Sequence, residues 1–162
     1  MFCIMKPRIL LLCTAGLSIA CLAAELADPL KLPAVAKAYD FKADVQEVLE
    51  TRCVRCHNGE KAEGELRLDT ISEAKAGGEH FPTRAIVPEN SEESSIIHLT
   101  ARLVEELEMP PEDKGEPLSR EEVGKLRAWI DAGAPWPEGL QLKARKPAKA
   151  GKPEDAVKPP AK

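Results

Sequence analysis

The chain has 162 residues, of which 43% are hydrophobic, 31% charged and 4% aromatic, so it has room for one modest soluble domain with extensions but not for two full-sized domains. Its formal net charge of −4 is an average, because residues 1–24 carry +2 and residues 141–162 carry +5, which leaves −11 for the middle. Because an acidic middle repels phosphate groups, the composition argues against a nucleic-acid-binding core.

The first 24 residues have the pattern of a secretory signal peptide. Lys6 and Arg8 precede an uncharged run that ends in small residues. This run is shorter than the roughly 20 residues that span a bilayer as a helix, so we expect export with cleavage after Ala23 or Ala24. A retained membrane anchor and a lipidated Cys21 are the alternatives. In each case the mature protein is expected to work in the periplasm or otherwise outside the cytoplasm.

Residues 25–40 contain two prolines and are predicted to form an irregular lead-in. A first helix is predicted to follow, because apolar residues then recur along one helical stripe, which comprises Phe41, Val45, Val48 and Leu49. This helix is expected to deliver Cys53 at its end. Asn58 and Gly59 are predicted to break it.

Without the signal peptide, Cys53 and Cys56 are the remaining cysteines, and His57 follows at once. Cys-x-x-Cys-His is the signature of c-type haem attachment. Residues at i, i+3 and i+4 share one face of a helical turn, so two thioether bonds and an imidazole can reach the same haem. A zinc site would need further ligands, which only His80 and His98 could supply, and a thioredoxin-like redox pair would need a βαβ setting. We predict one covalent haem c on Cys53 and Cys56, with His57 as an iron ligand.

The middle of the chain is expected to be rich in loops. Two short apolar pieces, 66–68 and 85–87, are predicted to pack on the haem rather than to form a sheet. A second amphipathic helix is predicted to begin near Ser91 and to end before Met109, on a stripe that comprises Ile96, Ile97, Leu99, Leu103, Val104 and Leu107.

Met109 is the one methionine outside the signal peptide, and Pro110 and Pro111 follow it directly. Two prolines stiffen a loop, which suits a thioether that must reach the open face of a haem iron. Methionine alone is more often a core residue. Beside a haem motif we predict ligation by Met109, with His80, in a loop, and His98, on a helix and partly exposed, as competitors. Iron with both axial positions filled leaves no vacancy for oxygen or peroxide, which favours electron transfer.

The third helix has the clearest end signals. Ser119 and Glu122 form a predicted capping box, and Gly133 is the predicted C-terminal stop. Trp129 is predicted to lie in the core, whereas Trp136 suits the core and the cofactor edge equally. Residues 141–162 are rich in Lys, Ala and Pro and have too few apolar residues for a core, so we predict a disordered tail, with binding to an anionic surface as an alternative role.

In combination, these motifs resemble the planctomycete-type cytochrome c domain over residues 41–137. The matching segments are 53–57, 66–69, 109–111 and 126–134. The resemblance implies an all-α, small cytochrome c-like fold over 41–140, with three main helices around a covalently bound haem and a loop-rich middle. It implies covalent haem on Cys53 and Cys56, His57 as the proximal ligand and Met109 as the distal one. Such domains commonly have Pro-Gly before the second helix, where this chain has Pro88 and Glu89.

We therefore expect an exported monohaem electron carrier rather than an enzyme. The alternatives are a haem enzyme or a gas or redox sensor with an exchangeable sixth ligand, and a haem-bearing recruitment module. The acidic domain predicts redox partner proteins with a basic docking patch. The haem-ligation machinery is a further expected partner, and nucleic acid is not expected. Membrane association is expected only if the N-terminal segment is retained or Cys21 is lipidated.

Overall fold

The computed structural model describes residues 31–146 and 155–158, so the predicted signal peptide lies outside the described residues. Within them the backbone is helical, with isolated bridges between three residue pairs and no strands, which confirms the all-α class. The elements in chain order are a first helix (Phe41–Gln46 and Leu49–Cys53), a 3-10 turn (Glu63–Glu65), α1 (Ile71–Ala76), a second 3-10 turn (Ser91–Glu93), α2 (Ser95–Thr100) and α3 (Arg120–Asp131). No helix in these ranges is long and apolar enough to cross a bilayer.

The first helix begins where the sequence predicts and ends at Cys53. The side chain of Asp40 caps it by accepting a hydrogen bond from the Ala43 N–H at 2.7 Å. Most of its turns are wider than α-helical, as in the bond from the Val54 N–H to the Leu49 carbonyl at 2.8 Å. The predicted apolar stripe is buried at Val45, Val48 and Leu49.

The second helix is shorter than predicted. It ends at Thr100 because Arg102 adopts a left-handed backbone with a φ of 56°. The Arg102 N–H then donates to the Leu99 carbonyl at 3.1 Å and the Leu103 N–H to the His98 carbonyl at 3.0 Å, which is the Schellman arrangement that closes a helix. The apolar residues after Arg102 therefore lie in a loop. The sequence analysis also missed α1, a short helix that Thr70 caps.

The third helix follows its end signals closely. The Ser119 N–H donates to Glu122 at 2.7 Å, and the Glu122 N–H donates to the Ser119 hydroxyl at 3.0 Å, so the capping box is confirmed. Gly133, with a φ of 93°, closes the helix by donating to the Ile130 carbonyl. Trp129 is fully buried, as predicted.

The core lies around α3. Trp129 and Trp136 form an aromatic cluster with Phe41 of the first helix, with ring centroids 5.6 to 6.4 Å apart. On another side of α3, the carbonyl of Gly124 accepts a hydrogen bond from the Ala36 N–H at 3.0 Å. The end of the lead-in therefore packs directly against this helix.

The described residues of the C-terminal segment pack against the domain, which differs from the predicted disorder. Leu142 and Val157 are buried in the core. Arg145 pairs with Glu47 and Glu50 of the first helix. The composition of the segment predicts that it cannot form a core of its own, but a few apolar residues suffice where another core is already present.

Candidate functional site

Cys53, Cys56 and His57 lie on one turn of backbone at the end of the first helix. The N–H groups of Cys56 and His57 both donate to the Cys53 carbonyl, each at 3.1 Å. Asn58 closes the turn, because its side chain donates to the Val54 carbonyl at 2.6 Å and accepts from the N–H groups that follow it. This local geometry presents the three side chains to the same cavity, as the spacing predicts.

The cavity has a volume of about 230 Å³ and a mainly apolar lining. Its apolar walls include Leu66, Leu68, Phe81, Ile96, Leu99 and Leu118. Leu66, Leu68 and Ala85 thus line the space in which the sequence analysis expects haem. In the described parts of the chain neither 66–68 nor 85–87 forms a strand, as predicted. Of the second piece only Ala85 lines the cavity, whereas Ile86 lies in the core, so the prediction that both pieces pack into the site is confirmed in part.

The two cysteines are free thiols in different surroundings. Cys53 is buried, and burial raises the pKa of its thiol to about 12. Cys56 is half-buried and also lines the cavity. Their side chains are not joined as a disulfide, so both sulfurs are available for thioether bonds.

Burial favours the neutral form of the His57 imidazole. Burial lowers its pKa, against the opposing effect of the Glu63 and Leu66 carbonyls. Its Nδ1 atom is buried and has no hydrogen-bond partner among the described residues. A neutral imidazole is the form that binds a metal, so this residue suits an iron ligand.

Met109 lines the same cavity as the cysteines and His57. Its N–H donates to the Leu99 carbonyl at 2.9 Å, which fixes the start of its loop against the end of α2. Pro110 and Pro111 also line the cavity, and the bond between Met109 and Pro110 is cis. The tertiary structure therefore brings together all four residues that the sequence analysis assigns to haem.

The two competing histidines occupy different places. His80 lies on an exposed loop and lines the cavity, so it stays a candidate ligand. His98 does not line the cavity, and the expectation that it is partly exposed is wrong. It is fully buried, with Nε2 2.7 Å from the Glu92 carbonyl, and burial lowers its pKa. Neither Trp129 nor Trp136 lines the cavity, since Trp129 lies in the core and the partly buried Trp136 packs against the core.

The residues of the cavity fit haem better than the alternatives considered for the cysteine motif. In the described ranges, no group of three or more His, Cys, Asp or Glu side chains is arranged to hold a metal ion, so the geometry gives the zinc alternative no support. The same ranges contain no βαβ unit that could hold a thioredoxin-like pair. Two free thiols, a neutral imidazole and a thioether around an apolar cavity form a donor set suited to haem c.

Two arginines at the cavity were missed by the sequence analysis. Arg52 and Arg55 line it and donate hydrogen bonds to backbone carbonyls of the loop that follows Met109. The only signal in the sequence is their position beside and within the cysteine motif. Charge alone does not distinguish such a contact from an ordinary solvated side chain.

Residues 53–113 match the protein-family model described as Planctomycete cytochrome C. This segment begins at Cys53 and includes His57 and Met109. It is shorter than the stretch 41–137 over which the sequence motifs resemble this family, and it ends before α3. No curated protein and no solved structure matches the chain.

Proposed function

We propose that this chain, whose residues 53–113 form a planctomycete-type cytochrome c domain, is an exported electron carrier with one haem c bound between His57 and Met109. The observation that carries the proposal is the placement of these two residues, with Cys53 and Cys56, around one apolar cavity. A cytochrome c domain indicates a haem-binding, electron-transfer role. The pair of iron ligands, the single haem and the export go beyond that role and are part of our proposal.

Each residue has a distinct role in this proposal. Cys53 and Cys56 would anchor the cofactor through thioether bonds, and His57 and Met109 would supply an imidazole nitrogen and a thioether sulfur to its iron. Bound haem supplies a one-electron couple between ferrous and ferric iron. A soft thioether ligand and an apolar cavity both favour the less charged ferrous state, and so raise the reduction potential relative to two histidine ligands.

The electron carrier is preferred to a haem enzyme because two protein ligands leave no exchangeable position. The position of His80 supports a second candidate, a haem enzyme or sensor with an exchangeable sixth ligand. A side chain on an exposed loop at the cavity could replace Met109. The two candidates therefore differ in whether an external gas can bind to the ferrous iron.

The proposed partners and location follow from charge and from the N-terminus. A net charge of −11 over residues 25–140 suits redox partners with a basic docking patch, and this attraction should weaken as salt is added. The basic and apolar pattern of residues 1–24 supports export to the periplasm, where haem-ligation machinery acts.

A pyridine haemochrome assay on the full chain, expressed with haem-ligation machinery, tests the cofactor. We expect one haem per chain that stays attached after denaturation, because thioether bonds survive unfolding. The double variant Cys53→Ser, Cys56→Ser should lose it, whereas Cys13→Ser, in the predicted signal peptide, should retain it. A colourless wild-type protein with both thiols free would refute the proposal.

The substitution Met109→Ala tests the sixth ligand. We expect the ferric protein to lose the weak charge-transfer band that a sulfur–iron bond produces at the red end of the spectrum. The reduction potential should fall, and the ferrous form should bind carbon monoxide. Leu107→Ala, another change at the cavity lining, should keep the band. If Met109→Ala leaves the spectrum unchanged, His80 becomes the ligand to test.

A further inference from the structure

We propose that Arg55 and Arg102 are positioning residues that hold the Met109 loop, residues 109–116, closed over the cavity. This inference rests on the proposed function in one respect, the role of Met109 as an iron ligand. It concerns side chains that neither the family match nor the haem motif assigns. Their hydrogen bonds reach both halves of this loop.

Arg102 holds the first half of the loop. Its side chain is 5% exposed, and its Nη1 donates to the Pro110 carbonyl, directly after Met109, at 3.2 Å. Its Nη2 donates to Glu112 at 3.3 Å. A buried guanidinium is retained only where its donors find acceptors, and here both lie in the Met109 loop.

The backbone of Arg102 supports a specific role for this side chain. Residue 102 closes α2 with a φ of 56°, a position that glycine normally occupies. A residue with a long side chain persists in this conformation when the surrounding contacts hold it there. The contacts that the structure shows for its guanidinium are those with Pro110 and Glu112.

Arg55 holds the second half of the loop from the haem-attachment turn. Its Nη2 donates to the Lys114 carbonyl at 2.7 Å. Arg52, one turn earlier, adds a bond from Nη1 to the Glu116 carbonyl at 3.1 Å. The segment that carries His57 is therefore tied directly to the segment that carries Met109. These bonds limit how far the thioether can move away from the imidazole.

Opening of this loop is the step that an external gas needs in order to replace Met109. If the open form is a small fraction of the population, apparent gas affinity rises in proportion to that fraction. The Arg102 guanidinium is buried, so loss of its bonds should increase the open fraction about tenfold. The Arg55 bond is exposed to solvent, so its loss should increase the open fraction about threefold. Carbon monoxide is uncharged, so its binding reports on loop opening rather than on the lost positive charge.

The test uses the full-length haem-loaded protein and the variants Arg55→Ala and Arg102→Gly. Glycine is chosen at residue 102 because it fits the left-handed backbone while it removes the guanidinium. Arg84→Ala is the matched control, since the Arg84 side chain is partly exposed and pairs with Glu93 away from the loop. The measurements are carbon monoxide affinity of the ferrous form and amide hydrogen exchange over residues 112–116.

We expect Arg102→Gly to bind carbon monoxide about tenfold and Arg55→Ala about threefold more tightly than the wild type. Both variants should exchange these amides faster, with Arg84→Ala close to the wild type in both measurements. Wild-type affinity and exchange in both variants would overturn the inference. A wild-type protein that already binds carbon monoxide as tightly as Met109→Ala would refute ligation by Met109 instead. In that case the exchange rates alone would still decide whether the arginines hold the loop.

Discussion

At the scale of single residues, alternate side chains of the segment Leu66–Asp69 lie on two different faces. Leu66 and Leu68 line the cavity. Arg67 and Asp69 form an ion pair through two hydrogen bonds, of 3.1 and 3.0 Å. Gln141 donates a further bond to Asp69 at 3.0 Å. The cavity wall is therefore fixed from behind by a buried, fully bonded carboxylate.

The ionisation of Asp69 predicts a pH dependence of folding. Burial alone would raise the pKa of its carboxyl, but the bonds from Arg67 and Gln141 outweigh burial and hold the pKa below the usual range. Because the folded pKa is the lower one, Asp69 stabilises the fold above its ordinary pKa of about 4 and this contribution is lost as pH falls below that value. At pH 7, Asp69→Asn should lower the free energy of unfolding by about 1–3 kcal/mol.

Urea unfolding at several pH values between neutral and strongly acidic checks this expectation. The difference between wild type and Asp69→Asn should shrink as the pH falls. The exposed Asp113, changed to Asn, serves as a control that should lie close to the wild type throughout. A difference that stays constant with pH would mean that the charge of Asp69 contributes nothing.

At the scale of elements, α3 depends on a glycine in its interior. The backbone at Ala34 lies so close to Gly124 that a Cβ atom there would be 2.5 Å from the Ala34 carbonyl oxygen. The Ala36 N–H also donates to the Gly124 carbonyl, so a hydrogen bond holds the lead-in backbone against this helix. Glycine is a poor helix former, and its presence is explained by this contact.

We expect Gly124→Ala to lower the free energy of unfolding by about 1–3 kcal/mol, because the methyl group would displace the lead-in backbone. Helix propensity alone predicts the opposite sign, a gain of about 1 kcal/mol. Chemical denaturation distinguishes the two, with Ala128→Gly as a measure of propensity in the same helix. A stabilised Gly124→Ala variant would show that the lead-in does not pack here.

At the scale of the whole molecule, the described residues 155–158 cover the back of the cavity wall. The Val157 N–H donates to the Leu118 carbonyl at 2.9 Å, and Leu118 lines the cavity. The backbone N–H of Arg120 donates a hydrogen bond to the Asp155 carbonyl at 3.2 Å. The described residues 155–158 are therefore part of the folded domain and not a solvated extension.

A pair of valines tests this packing. Val157 is 5% exposed and Val35 is 43% exposed. We expect Val157→Ala to lower the free energy of unfolding by about 1–2 kcal/mol and Val35→Ala by less than about 0.5 kcal/mol. Equal effects of the two substitutions in thermal or urea unfolding would indicate that Val157 does not pack into the core, as the composition of the segment predicts.

Sequence alone determined the features that depend on neighbours along the chain. The turn from Cys53 to His57 and the two ends of α3 follow from spacings of three or four residues, because hydrogen bonds within a helical turn span that distance. The all-α class follows from the same periodicity. The choice of Met109 as the candidate sixth ligand also rests on the sequence, because it needs only its place before two prolines and the absence of another methionine after residue 24.

Only the tertiary structure decided the features that depend on distant residues. The end of α2 at Thr100 depends on Arg102 in a conformation usual for glycine, so no apolar stripe could predict it. The burial of His98 and the docking of Val157 depend on which surfaces meet after folding. A local pattern states what a segment prefers, whereas its final place depends on contacts with distant parts of the chain, and these outweigh local preference.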